Sequence, residues 1–376
     1  MKRLRTRAVT TTSLLFLGVV LLAGDAVPAG LPTQYFGYAM CQNSSTMMVL
    51  DTSTNTVVSK VKHPDFIKGA WGRFHPTKKR YYAGGTGKFT IWDTTDLARP
   101  VYLKTVTPVA ASTGEIRGFF INNASTTAID GQVWLTNTAD ENLFIYNAAD
   151  LEGPNPTPVK TFTAADGLMR PHYMQRRPGT NEVWLTNRSP NAAGYLLRFD
   201  SSNNTIITTP TTKLETTSVA GDEPTEFAFS QDGALAYVGH HGHPITGSPS
   251  VTYAIGIVDA VTFTLKKIVN TISQQQTPSY MDIDNDAGRV YFVAKWGPTL
   301  VVLDQKTERV LRYVEFGGFG PAYGVATTPD YQYLYVSLGS PAQSGVVVVD
   351  AKTLTVVANI VDSDCDNVRS VRFTHY

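Results

Sequence analysis

Seven times along this chain a short apolar run closes on an acidic or amide residue and is followed by a polar turn and a second apolar run. The closing residues are Asp51, Asp93, Asn147, Asp200, Asp259, Asp304 and Asp350, in runs such as TMMVLDT, NLFIYNA and GVVVVDA. They recur roughly every 40–60 residues, the period of four-stranded propeller blades. Before each lies an aromatic-rich run, such as QVWLTNT at 132–138, EVWLTNR at 182–188 and RVYFVAKW at 289–296. Ahead of that sits an alternating run often opened by proline, as at Pro171, Pro224, Pro278 and Pro321. Four short β-rich segments separated by Gly, Asn, Asp and Pro turns make one twisted blade. No helix-period stripe of useful length competes with this pattern. The predicted fold is therefore all-β: a seven-bladed β-propeller with four antiparallel strands per blade. An acid present in every blade reads as a turn cap, because a catalytic residue is needed only once.

The repeats resemble those of the YVTN-type β-propellers of secreted, periplasmic and surface proteins. Val133-Trp134-Leu135-Thr136-Asn137 and Val183-Trp184-Leu185-Thr186-Asn187 match the aromatic-Val-Thr-Asn strand end best, and Asp51-Thr52-Ser53-Thr54 and Asp350-Ala351-Lys352-Thr353 match the Asp-x-x-Thr turn. The resemblance covers almost the whole mature chain. It implies a propeller shared by lactonase-like enzymes, redox subunits similar to methylamine-dehydrogenase heavy chains, and purely binding proteins, so it specifies fold rather than chemistry.

The two ends carry separate information. Lys2, Arg3, Arg5 and Arg7 form a basic region, Leu14 to Leu22 an apolar one, and small residues follow, as in a secretory signal peptide over 1–29. That leaves 30–376 as one propeller domain, expected to be secreted or periplasmic and free of the membrane after signal cleavage. A formal charge of +1, with no basic run after residue 7, argues against nucleic acid as a partner. The strand Tyr35–Cys41 belongs to a blade that lacks its innermost strand, and Val368–His375 has the length and alternation to supply it. Such ring closure makes Cys41 and Cys365 neighbours, and an oxidising compartment predicts a disulfide between them.

Loops entering the inner strands and leaving the second strands surround one mouth of a propeller's channel, here termed the top face. Aligning the repeats places Lys68, Trp71, Arg117, Tyr280, Lys295, Tyr323 and Arg369 there as candidate ligand-binding residues, beside Glu115, Asn137, Asn187 and Trp296. His240, His241 and His243 lie within four positions at the start of the longest insertion, and imidazoles so clustered are candidate ligands of a Cu or Zn ion. Arg170 and His172 with Glu223 and Glu226 of the next blade are candidate catalytic residues, since a carboxylate beside His and Arg at a desolvated mouth suits acid–base work. No Gly-x-Ser-x-Gly elbow is present. Three functions follow: binding of a small molecule, metal or partner protein at the top face; a lactonase-, lyase- or cyclase-like enzyme; or a structural subunit of a periplasmic redox enzyme.

Overall fold

The computed structural model describes residues 34–374, apart from 67, 109–111, 113, 124–130, 190–192, 210, 217–222, 241–253, 272–276 and 340–342. The expected signal segment, His241, His243 and His375 lie outside the described residues. Strands account for nearly all the regular structure, in seven antiparallel sheets. The first blade combines Phe36–Cys41, Thr46–Asp51 and Thr56–Lys62 with Val368–Phe373 as its inner strand. The other six begin at inner strands Trp71–Phe74, Ile116–Asn122, Pro171–Arg176, Pro224–Phe229, Pro278–Asp284 and Ala322–Thr327. Each inner strand packs on the next, and Val368–Phe373 packs on both Ala322–Thr327 and Trp71–Phe74, so the ring is closed.

Local sequence explains the layering within a blade. Second and third strands are apolar on both faces because each sheet is sandwiched between two others, as in Arg289–Ala294 and Thr299–Asp304. Their aromatic residues wedge between blades: Trp184 meets Phe229 of the next blade and Phe263 beyond it, both at 4.9 Å between ring centres. Truncating such a buried aromatic costs about 3–5 kcal/mol. Outer strands are half-exposed and carry lysine and arginine, as in Thr264–Asn270, which discourages a second chain from pairing with the free edge.

The periodic acids are turn caps. Asp93, Asp200 and Asp304 each accept a backbone N–H two or three residues on, from Thr95, Ser202 and Thr307 at 2.7, 2.8 and 2.7 Å. Asp51, Asp259 and Asp350 do the same. Asn147 departs from the pattern, donating from Nδ2 to Asp150 where a short 3-10 turn follows.

Closure takes the expected form. Gly37 pairs with Phe373 and Met40 with Ser370, and Cys41 is bonded to Cys365 with Cα atoms 5.2 Å apart across 324 residues of sequence. In the chain-entropy description a crosslink of that span stabilises by about 5 kcal/mol or less.

Candidate site at the top mouth of the channel

A recurrent irregularity builds the mouth. In six of the seven blades the inner strand carries one extra residue near its start, opposite the end of the second strand. The bulged segments hold Arg117-Gly118, His172-Tyr173, Thr225-Glu226, Ser279, Tyr323 and Arg369. A bulge breaks the alternation of a strand and re-aims a side chain, here toward the channel. Trp71–Phe74 pairs without a shift and sends Trp71 itself into the channel.

The Thr-Asn of the repeat motif serves this geometry. Thr186 Oγ1 accepts the extra N–H of the bulge from Tyr173 at 3.0 Å and donates to the Thr225 carbonyl of the next blade at 3.0 Å. Thr136 does likewise for Gly118 N and the His172 carbonyl, at 2.8 and 3.3 Å. Asn187 holds the loop leading into its inner strand, donating to the Gly167 carbonyl at 2.9 Å and accepting from Met169 N. Within these leading loops Lys68 and Arg170 take left-handed backbone conformations, with φ of 51° and 44°. Non-glycine residues rarely hold such angles unless the surroundings fix them.

The resulting cavity has a volume of about 400 Å³. Six cationic side chains line it, Lys68, Arg117, Arg170, Arg188, Lys295 and Arg369, against one carboxylate, Glu115. Trp71 and Tyr280 pack together within it at 4.9 Å, and Trp71 Nε1 has no hydrogen-bond partner among the described residues. An arc of hydrogen bonds fixes the polar wall. Arg369 Nε donates to Gln42 Oε1 at 2.7 Å, Gln42 Nε2 to Glu115 at 3.2 Å, and Arg117 Nε to Glu115 at 2.5 Å. Arg117 Nη1 then meets His172 Nε2 at 2.9 Å. His172 Nδ1 faces the Thr225 carbonyl at 3.1 Å, which can only accept, so Nδ1 carries the proton and Nε2 accepts from Arg117. Burial, and then Arg117 and Arg188, hold His172 well below the usual imidazole range.

Glu223 is fully buried and anchors Arg170 at 3.1 Å and Arg188 Nε at 2.7 Å. Lys295 Nζ stands 4.3 Å from the centre of the Tyr323 ring, and the Arg369 guanidinium lies over the same ring at 3.8 Å. Burial, reinforced by Arg369, Arg117 and Arg188, brings the Lys295 ammonium down to about 6. Burial pushes the Tyr280 phenol up, so it stays protonated.

Several expected groupings are not formed. Glu223 and Glu226 do not share a site: Glu226 accepts from Met281 N at 3.1 Å and faces Arg372 at 3.4 Å in a narrower part of the channel, below the bulge. Neither carboxylate contacts His172, whose ring is committed to Arg117 and Thr225. His240 is buried between its own blade and the preceding one, with Thr216 Oγ1 at 2.8 Å and the Ala254 carbonyl at 3.1 Å on its two ring nitrogens. Among the described residues no group of three or more His, Cys, Asp or Glu is placed to hold a metal ion. The Cu or Zn reading therefore rests on His241 and His243, outside the described residues.

Gln42 and Arg188 were missed from the sequence. Each follows directly on a second strand, after Cys41 and Asn187, as Lys295 follows Ala294, so strand register was the signal that could have found them. A second cavity, about 430 Å³, opens at the other end of the channel beside Arg73, Tyr173 and Arg372.

Neither a protein-family model nor a curated protein matches this chain. Among solved structures, a functionally unknown protein from Desulfotomaculum acetoxidans DSM 771 is similar with a TM-score of 0.68 and 14% identity, over 91% of this chain and 99% of that one. The dihydro-heme d1 dehydrogenase NirN in complex with DHE is similar with a TM-score of 0.58 and 16% identity, over 91% of this chain and 75% of that one. At such identities the shared property is the fold.

Proposed function

We propose that this chain is an exported propeller, residues 30–376 after removal of a signal segment, that binds a small anionic molecule at the top mouth. The observation that carries the reading is the imbalance of charge around a 400 Å³ cavity: four guanidiniums and Lys68 stand against Glu115 and the buried Glu223, with Lys295 beside them. Assembling like charges in a partly desolvated space is unfavourable unless an anion completes it. Guanidinium groups suit a carboxylate or phosphate because they donate in pairs. The unpartnered Trp71 Nε1 adds a donor for an acceptor on the ligand.

Export is supported by the basic and apolar leader and by the Cys41–Cys365 bond, and the repeats support membership of the YVTN-type propellers. No helix among the described residues is long and apolar enough to cross a membrane. NirN, solved with DHE, supports the use of this fold as a ligand scaffold. The test is calorimetric titration with mono- and dicarboxylates and inorganic phosphate at low salt. Binding should weaken steeply with salt, and Arg117→Gln or Arg369→Gln should lower affinity about tenfold to a hundredfold, the worth of one charge-assisted hydrogen bond. Absence of saturable binding, or variants that bind as the parent does, would overturn the reading.

A further inference from the structure

The cations of the mouth are not equivalent. Arg117 is tied to Glu115, Arg170 and Arg188 to Glu223, and Arg369 to Gln42, while Lys68 stands exposed on the rim. Lys295 alone combines a place inside the cavity with the lack of any side-chain hydrogen bond or ion pair among the described residues. Its Nζ is bounded by the rings of Tyr323, at 4.3 Å, and Trp296, at 5.8 Å. Arg369, Arg117 and Arg188 face it as like charges, with Glu115 the one carboxylate acting in the other direction. The ring faces and Glu115 favour the charged amine, but burial and the three guanidiniums outweigh them. The amine is arranged as an uncharged nucleophile rather than as one more anchoring cation.

We infer that Lys295 forms a reversible imine with a small carbonyl compound that also bears a carboxylate, the 2-oxo acid class, whose carboxylate is taken by Arg369 and Arg117. The proposal rests on the anion-binding reading and adds a covalent step to it. Nζ adds to the carbonyl carbon, one of its protons passes to the carbonyl oxygen, and the carbinolamine then loses that oxygen as water to leave the C=N bond. Amine plus carbonyl thus gives imine plus water, with no oxidant or reductant. Tyr280, whose phenol burial keeps protonated, lines the same cavity as a donor for the departing oxygen. Four guanidiniums stand against Glu115, Glu223 and one ligand carboxylate, so one positive charge of the wall remains uncancelled and the free amine stays favoured.

The full-length secreted protein is incubated with pyruvate and sodium cyanoborohydride and read by intact mass and peptide mapping, with lactate titrated in parallel. The expected result is a single adduct on Lys295, formed at least about tenfold faster than on the exposed Lys306 or Lys352 and absent from Lys295→Arg. Its pH profile should level off just above the point near 6 to which the ammonium is brought down, whereas an ordinary lysine keeps accelerating toward pH 10. Labelling of Lys295 at the rate of the exposed lysines, or a profile still rising at pH 9, overturns the inference. Lactate binding without pyruvate trapping sinks the imine alone and leaves anion binding standing. Failure of both pyruvate and lactate to bind sinks the two together. Thermal melting of Lys295→Arg confirms that loss of the adduct is not loss of the fold.

Discussion

Lys295 shows how a single residue can be placed against the interest of the fold. In the folded chain its ammonium titrates at about 6, against an ordinary value of 10.5. Between those values the unfolded chain binds the proton and the folded chain does not, so stability contributed at this position rises with pH; below about 6 both states are charged and the full penalty applies. Lys295→Met removes the penalty. It should be more stable than the parent in urea denaturation at pH 6, by about 1–3 kcal/mol, with the gap closing by pH 9–10. A gap of constant size would show that Lys295 is solvated as an ordinary lysine. Glu223 has the opposite role. Buried between Arg170 and Arg188, it is the counter-charge that lets two guanidiniums sit at the mouth, and this makes it a part of the frame rather than a rim acid awaiting a substrate.

At the scale of strands and turns, the repeat motif is a joint between blades. Replacing Thr186 with the near-isosteric valine leaves Tyr173 N and the Thr225 carbonyl without their shared hydroxyl. The expected cost is about 1–3 kcal/mol of unfolding free energy, measured as a lower urea midpoint with an unchanged slope. A loss below about 0.5 kcal/mol would mean that the bulge is held by its neighbours instead. The strands, the blade count and the aspartate caps were legible because the blade pattern is written seven times and the cap six, so that alternation and turn residues reinforce one another. The bulges were not, since one extra residue in a strand leaves no mark in an apolar pattern. Lys68, Trp71, Arg117, Tyr280, Lys295 and Arg369 line one mouth and Tyr323 lies beneath two of them, while Glu226 lies deeper in the channel and His240 is turned away from it. Depth along the channel is set by the bulge, and whether an imidazole faces the cavity or the seam between blades is decided by partners such as Thr216 and Ala254 that lie outside its own strand.

For the whole molecule, closure is carried both by strand pairing and by a covalent bond. Cys41→Ser with Cys365→Ser should keep the circular dichroism of the parent and lower its stability by about 5 kcal/mol or less, with the larger part of that effect reproduced by reducing the native protein. If the double variant matched the parent in denaturant, the inner strand Val368–Phe373 alone would suffice to seal the ring. Repetition made this architecture readable and left the chemistry of the mouth unread, because what distinguishes the mouth is where the blades cease to be alike.

The polar wall of the mouth has one further property. Gln42 follows directly on the first described strand and Arg369 lies in the last, and their hydrogen bond hands the arc on to Glu115, Arg117 and His172. Recognition is thus deferred in time as well as arranged in space. A chain emerging during synthesis cannot assemble this wall until residue 369 has been delivered, so an unfinished or clipped propeller lacks the arc on which the proposed anion binding depends.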